Sequence, residues 1–103
     1  MAVRVLIERQ IVPAEKQAVF QLLRKLRSRC LEEPGYISGE TLRDNADENT
    51  VVVISTWFGL MDWKSWYASE DRRAFEQEIR QHLRGPERVQ VLLEGISDRL
   101  SGA

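Results

Sequence analysis

The sequence predicts an α+β domain: a four-stranded antiparallel sheet with split βαβ connections and its helices on one face. Three observations carry that expectation. Hydrophobic periodicity alternates between two and about 3.6 residues in the order strand, helix, strand, strand, helix pair, strand. The stretch from Thr50 to Phe58 is Val-rich on both faces, as an interior strand is, and it runs straight into a short helix bearing two of the three tryptophans. The 103 residues, 43% hydrophobic, suit one core. The expected domain covers 1–95, with a tail over 96–103.

The first strand has Val3, Val5, Ile7 and Ile11 in one register, and Arg4, Leu6, Glu8 and Gln10 in the other. Arg9 interrupts the apolar register at a position where a core residue belongs. Pro13 ends the strand and suits a first helical turn. A helix follows from about Ala14 to Glu32, striped by Val19, Leu22, Leu23, Leu26 and Cys30. Lys16, Arg24, Lys25, Arg27 and Arg29 fall largely off that stripe and read as a solvated face. Cys30, on the stripe, reads as a small buried hydrophobe. Glu33-Pro34-Gly35 closes the helix.

Tyr36 to Arg43 is a second strand, in which Gly39 marks a bulge or a close approach. Residues 44–49, DNADEN, form a turn, so the second and third strands pair antiparallel. Gly59 breaks the third strand, and Leu60, Trp63, Trp66 and Tyr67 make a short amphipathic helix. Ser69 caps the next helix, with Glu70 and Asp71 in its first turn. That helix runs to about Leu83, with Phe75, Ile79 and Leu83 inward, Glu76 beside them and His82 on the opposite flank. Gly85-Pro86 ends it. The last strand spans Arg88 to Gly95, with Val89, Val91 and Leu93 inward.

Composition excludes several classes. Fifteen Lys plus Arg balance sixteen Asp plus Glu, so nucleic acid is not an expected partner. No apolar run approaches the roughly 18 to 20 residues that span a bilayer. The N-terminal residues alternate like a strand and lack an apolar leader core. One cysteine cannot close an internal disulfide, and a cytoplasmic setting follows. No phosphate-binding Gly loop, Ser/His/Asp set or metal-ligand spacing appears. Helices on one face leave the other face of the sheet open, with Leu6, Leu92 and Val52 and Ile54 or their alternates on it. A homodimer through that open face is expected.

The order of elements, the Glu33-Pro34-Gly35 turn, the strand ending Ser55-Thr56-Trp57, and the Trp-rich helix before Ser69-Glu70 resemble the antibiotic biosynthesis monooxygenase family. The resemblance covers roughly Val3 to Glu94. It implies a ferredoxin-like fold in a dimeric α/β barrel, and an activity among cofactor-free oxygenases of aromatic polyketides or quinols and haem-degrading enzymes. Trp66 falls where the haem-degrading members keep a pocket tryptophan. Their strand asparagine and helix histidine fall on Arg9 and Glu76, so this chain departs from that branch at both positions, and its only histidine, His82, lies further along.

Arg9 and Glu76 would each be costly as a lone buried charge. Either they pair across the pocket, directly or through water, or both are solvated at its rim. Cofactor-free oxygenation asks a protein for an apolar cavity and a positioned base. Trp57, Trp63, Trp66 and Phe75 could wall the cavity. Glu76 is a candidate base, and Arg9 a candidate holder of a phenolate or carboxylate oxygen. Two functions follow: a monooxygenase using no bound cofactor on an aromatic or quinol-type small molecule, or a non-catalytic dimeric binding or stress-related protein with a shrunken pocket.

Overall fold

Strand β1, Val3–Gln10, is the axis of the domain. The computed structural model describes residues 1–95, and the tail expected over 96–103 lies outside them. Strand β1 pairs antiparallel with β3, Thr50–Trp57, on one side and with β4, Arg88–Leu93, on the other. Strand β2, Tyr36–Arg43, adds to β3, giving the order β2-β3-β1-β4. The doubly apolar β3 is therefore interior, as its composition requires. The β2–β3 turn is held by Asp47, whose carboxylate accepts from the Asn49 backbone N–H and the Thr50 hydroxyl.

Register decides which residues reach the core. Val3, Val5 and Ile7 lie opposite Trp57, Ser55 and Val53, and Arg9 lies opposite Val51. These side chains share the face that the helices cover. Helix α1, Lys16–Cys30, enters through a 3-10 turn at Pro13–Glu15, so the regular helix begins and ends two residues inside the expected span. Helix α2, Leu60–Tyr67, contributes buried Trp63 and Trp66. Helix α3, Glu70–Arg80, is capped by Ser69, whose hydroxyl accepts from the Arg72 N–H. It ends three residues before Leu83, and Ile11 makes an isolated bridge to Leu83 instead.

Two apolar clusters form beneath the helices. One gathers Val3, Val5, Ile7, Cys30, Trp57, Trp63 and Trp66. The other gathers Ile11, Val19, Leu23, Val51 and Ile79. Arg9 sits in sequence between Ile7 and Ile11, one in each cluster, so the core is divided by a polar seam.

Two details of the sheet differ from expectation. Val91 and Leu93 face the helix side, but β4 is an edge strand and both remain exposed. The bulge falls between Tyr36 and Ser38 rather than at Gly39. Gly39 provides the close approach: a Cβ there would collide with the Tyr36 hydroxyl.

Candidate functional site

The seam and the first cluster meet in a cleft between α1 and the sheet. Trp57, Trp63 and Trp66 line it with Ile7, Cys30 and Tyr36, and Arg9 and Arg72 border it as well. Its cavity volume is about 50 Å³, room for a few water-sized groups. The aromatic rings stack edge to face. The Tyr36 and Trp57 centroids are 5.3 Å apart, and those of Trp57 and Trp63 are 5.7 Å apart. Trp57 Nε1 donates to Ser55 Oγ at 3.0 Å, which orients the indole at the end of β3. Trp66 is clamped from outside by Arg29, whose guanidinium lies 5.3 Å from the ring centroid. Arg29 in turn donates to Asp71 and Glu33 at 2.8 and 3.2 Å, tying α1 to α3.

Arg9 is buried to 1% exposure, so its place in the apolar register is real. Its carboxylate partner is Glu87, not Glu76: Arg9 Nη2 donates to Glu87 Oε2 at 3.0 Å. The other oxygen of Glu87 lies 2.7 Å from Nη2 of Arg72, itself 4% exposed. That second contact is Coulombic rather than directional, because Arg72 Nη2 makes no aligned hydrogen bond. Burial pushes the Arg9 guanidinium below its ordinary range, Glu87 opposes the shift, and Arg72 adds to it.

Glu76 is half-buried and lies outside this cleft, in a groove that it shares with Tyr67, Arg72 and Glu87. It acts on Arg9 only through its field, the weakest of the influences named on that guanidinium. Phe75 is half-buried and does not line the cleft. The structure thus brings together Arg9, Trp57, Trp63 and Trp66 and leaves Glu76 and Phe75 outside. The expected Arg9–Glu76 pair gives way because Glu87, at the entry to β4, reaches the guanidinium first.

Arg72 and Glu87 escaped the sequence reading, although one signal was present. Arg72 stands seven residues before Ile79, two turns away on the same helical meridian. It continues the inner stripe of α3 toward the N-terminus. Glu87 gave no comparable sign, since only the fold carries it to Arg9.

His82 pairs with Glu15 at 2.7 Å, away from the cleft. Cys30 lines the cleft, but burial, with help from Glu33, pushes its thiol up to about 11. No histidine lines these walls, and the cavity is far too small for a haem macrocycle.

The fold and cleft together define a ferredoxin-like domain with a small, aromatic-walled pocket beneath its helices. The model of the family described as "Antibiotic biosynthesis monooxygenase" matches residues 2–87. The chain belongs to the antibiotic biosynthesis monooxygenase family. No curated protein matches the sequence significantly. Similar solved structures include a conserved protein from Methanosarcina mazei Go1, with TM-score 0.86 at 16% identity, covering 92% of this chain and 94% of that one. Rv0793 from Mycobacterium tuberculosis matches with TM-score 0.82 at 16% identity, covering 95% and 99%. SnoaB, a cofactor-independent oxygenase from Streptomyces nogalater, matches with TM-score 0.76 at 16% identity, covering 94% and 96%. At such identities these likenesses bear on fold alone. Among the described residues no helix is long and apolar enough to cross a membrane.

Proposed function

We propose that the protein is a monooxygenase that uses no bound cofactor and acts on a small aromatic or quinol-type molecule in the cleft. The observation that supports it most is the wall of Trp57, Trp63 and Trp66 around an enclosed space bordered by Arg9. Family membership and the likeness to a cofactor-independent oxygenase point the same way. An electron-rich hydroxyarene can reduce dioxygen itself. One oxygen atom ends in the ring as a quinone carbonyl, and the other leaves as water with the two hydrogens lost by the substrate. The protein's share is to hold the ring, exclude bulk water and stabilise the oxyanion. In this reading Arg9, which borders the cleft, takes the last task. Glu76 does not serve as base in this reading, because it lies outside the cleft.

The narrow interior favours a second reading. About 50 Å³ is well below the few hundred Å³ of an ordinary ligand pocket, as in a non-catalytic binding or stress-related protein whose cleft has shrunk. Aerobic incubation with a panel of hydroxyarenes and quinols separates the two. The oxygenase consumes dioxygen in step with substrate, and the binding protein consumes none.

Both readings include a homodimer through the open sheet face. Leu6 and Ile54 pair across β1 and β3, and Val52 and Leu42 pair across β3 and β2, on the side away from the helices. Leu42 and Leu92 are exposed there, which supports a covering partner. Sedimentation should give twice the 12.0 kDa chain mass, and Val52→Glu should yield monomer. A lone, buried Cys30 is consistent with a reducing, cytoplasmic setting.

A further inference from the structure

The seam beneath the cleft carries unequal charge. Two guanidiniums, Arg9 and Arg72, are buried against a single carboxylate, Glu87, whose side chain is 9% exposed. The remaining charged groups bordering the cleft are Arg27 and Glu40, both exposed at its mouth and of opposite sign. Glu76 acts on Arg9 from the neighbouring groove and is only half-buried. The interior therefore keeps about one uncompensated positive charge. It also keeps an unused donor: Arg9 Nε is buried without a hydrogen-bond partner among the described residues, while Arg72 Nη2 already lies 2.7 Å from Glu87 without aligning a hydrogen bond. A buried N–H left unmade is costly, more so on a charged group, and this one calls for an explanation.

We propose that this end of the cleft is a carboxylate pocket. Arg9 and Arg72 take the carboxylate of a planar aromatic acid, and its ring lies against the tryptophan wall. The inference rests on reading the cleft as the substrate site, and it adds the substrate's class: an arene monocarboxylate. Three features select it. One excess positive charge matches a monoanion. A guanidinium's planar fork presents N–H donors at the spacing of carboxylate oxygens. The cleft puts Trp57, Trp63 and Trp66 beside the two arginines, an aromatic wall against which a ring can lie.

The test is a tryptophan-fluorescence titration of the full chain at neutral pH and low salt. Benzoate is the probe and benzamide its uncharged isostere. Benzoate should change the emission saturably and bind at least about tenfold tighter than benzamide, since charge-assisted hydrogen bonds are roughly twice as strong as neutral ones. Arg72→Lys should weaken benzoate while keeping the preference for it, and Arg72→Gln, checked for folding by circular dichroism, should abolish the preference. Equal affinity for the two probes, or an unchanged preference in Arg72→Gln, overturns the pocket. Its failure is distinguishable from that of the oxygenase reading. Benzoate preference without dioxygen uptake on any hydroxyarene, hydroxybenzoates and quinols included, keeps the pocket and refutes the oxygenase. Uptake on neutral quinols with no benzoate preference does the reverse.

Discussion

Glu87→Gln is the sharpest perturbation of this core. It leaves the shape of the side chain and removes the one charge that two buried guanidiniums share. The carboxylate oxygens stand 3.0 Å from Arg9 Nη2 and 2.7 Å from Arg72 Nη2. A unit pair at about 4 Å is worth about 4 kcal/mol at an effective dielectric of 20. Two such attractions are offset in part by repulsion between the two arginines. Removing one partner of a buried pair costs about 3–5 kcal/mol in practice. Domains of this kind are stable by about 5–15 kcal/mol, and each kcal/mol shifts the midpoint by about 4 °C or more, so the melting temperature should fall by at least about 12 °C. Urea unfolding followed by circular dichroism supplies the free energy. Arg9→Met should cost less than Glu87→Gln, because it leaves Arg72 and Glu87 as a balanced pair. Glu76→Gln should stay within about 1 kcal/mol of wild type. If Glu87→Gln costs no more than Glu76→Gln, the shared carboxylate is not what holds the seam together.

Other expectations follow from the same contacts. Trp66→Ala removes a buried aromatic and should cost about 3–5 kcal/mol by urea unfolding, while Trp66→Phe should retain most of the stability. Cys30 should resist thiol reagents in the native state at neutral pH and react fully once unfolded. Its folded pKa is raised from 9.0 to about 11, so its contribution is intact below pH 9.0 and is lost as pH rises toward 11, which alkaline unfolding curves of wild type and Cys30→Ala will show. Asp47 is held below the usual carboxylate range, first by the Asn49 N–H and then by the Thr50 hydroxyl. Its contribution is present above the unfolded value near 3.8 and disappears as pH falls through the lower folded value. Wild type should therefore be more stable than Asp47→Asn at neutral pH, with the gap closing in acid.

The architecture was legible because each local pattern agreed with its neighbours. Alternation placed β1, the two-faced apolar run placed β3 inside the sheet, and the Ser69 cap set the start of α3 to the residue. The interruption at Arg9 correctly marked a special position, since a cation in an apolar register must be either misplaced or partnered. Its partner was not legible. Glu87 and Arg9 are 78 positions apart, and no local pattern encodes a contact created by the strand order. Glu76 looked suitable on a helical wheel, but a wheel describes one helix and not the depth at which it sits on the sheet. Phe75 misled for the same reason: its helix turns Arg72 and Ile79 inward and leaves Phe75 half-buried. The walls of the cleft were easier to read, because Trp63 and Trp66 repeat at three residues on a helix tethered to the end of β3 by Gly59.

In the function proposed, the cleft lets an aromatic substrate reduce dioxygen directly. Incubation under oxygen-18 gas with hydroxyarenes, including hydroxybenzoates, tests it by mass spectrometry of the product. The product should be heavier by a single labelled oxygen atom, formed with one dioxygen consumed per turnover and lost in Trp66→Ala at a temperature where that variant is folded. A panel returned unchanged, with no label incorporated and no dioxygen consumed, would contradict it.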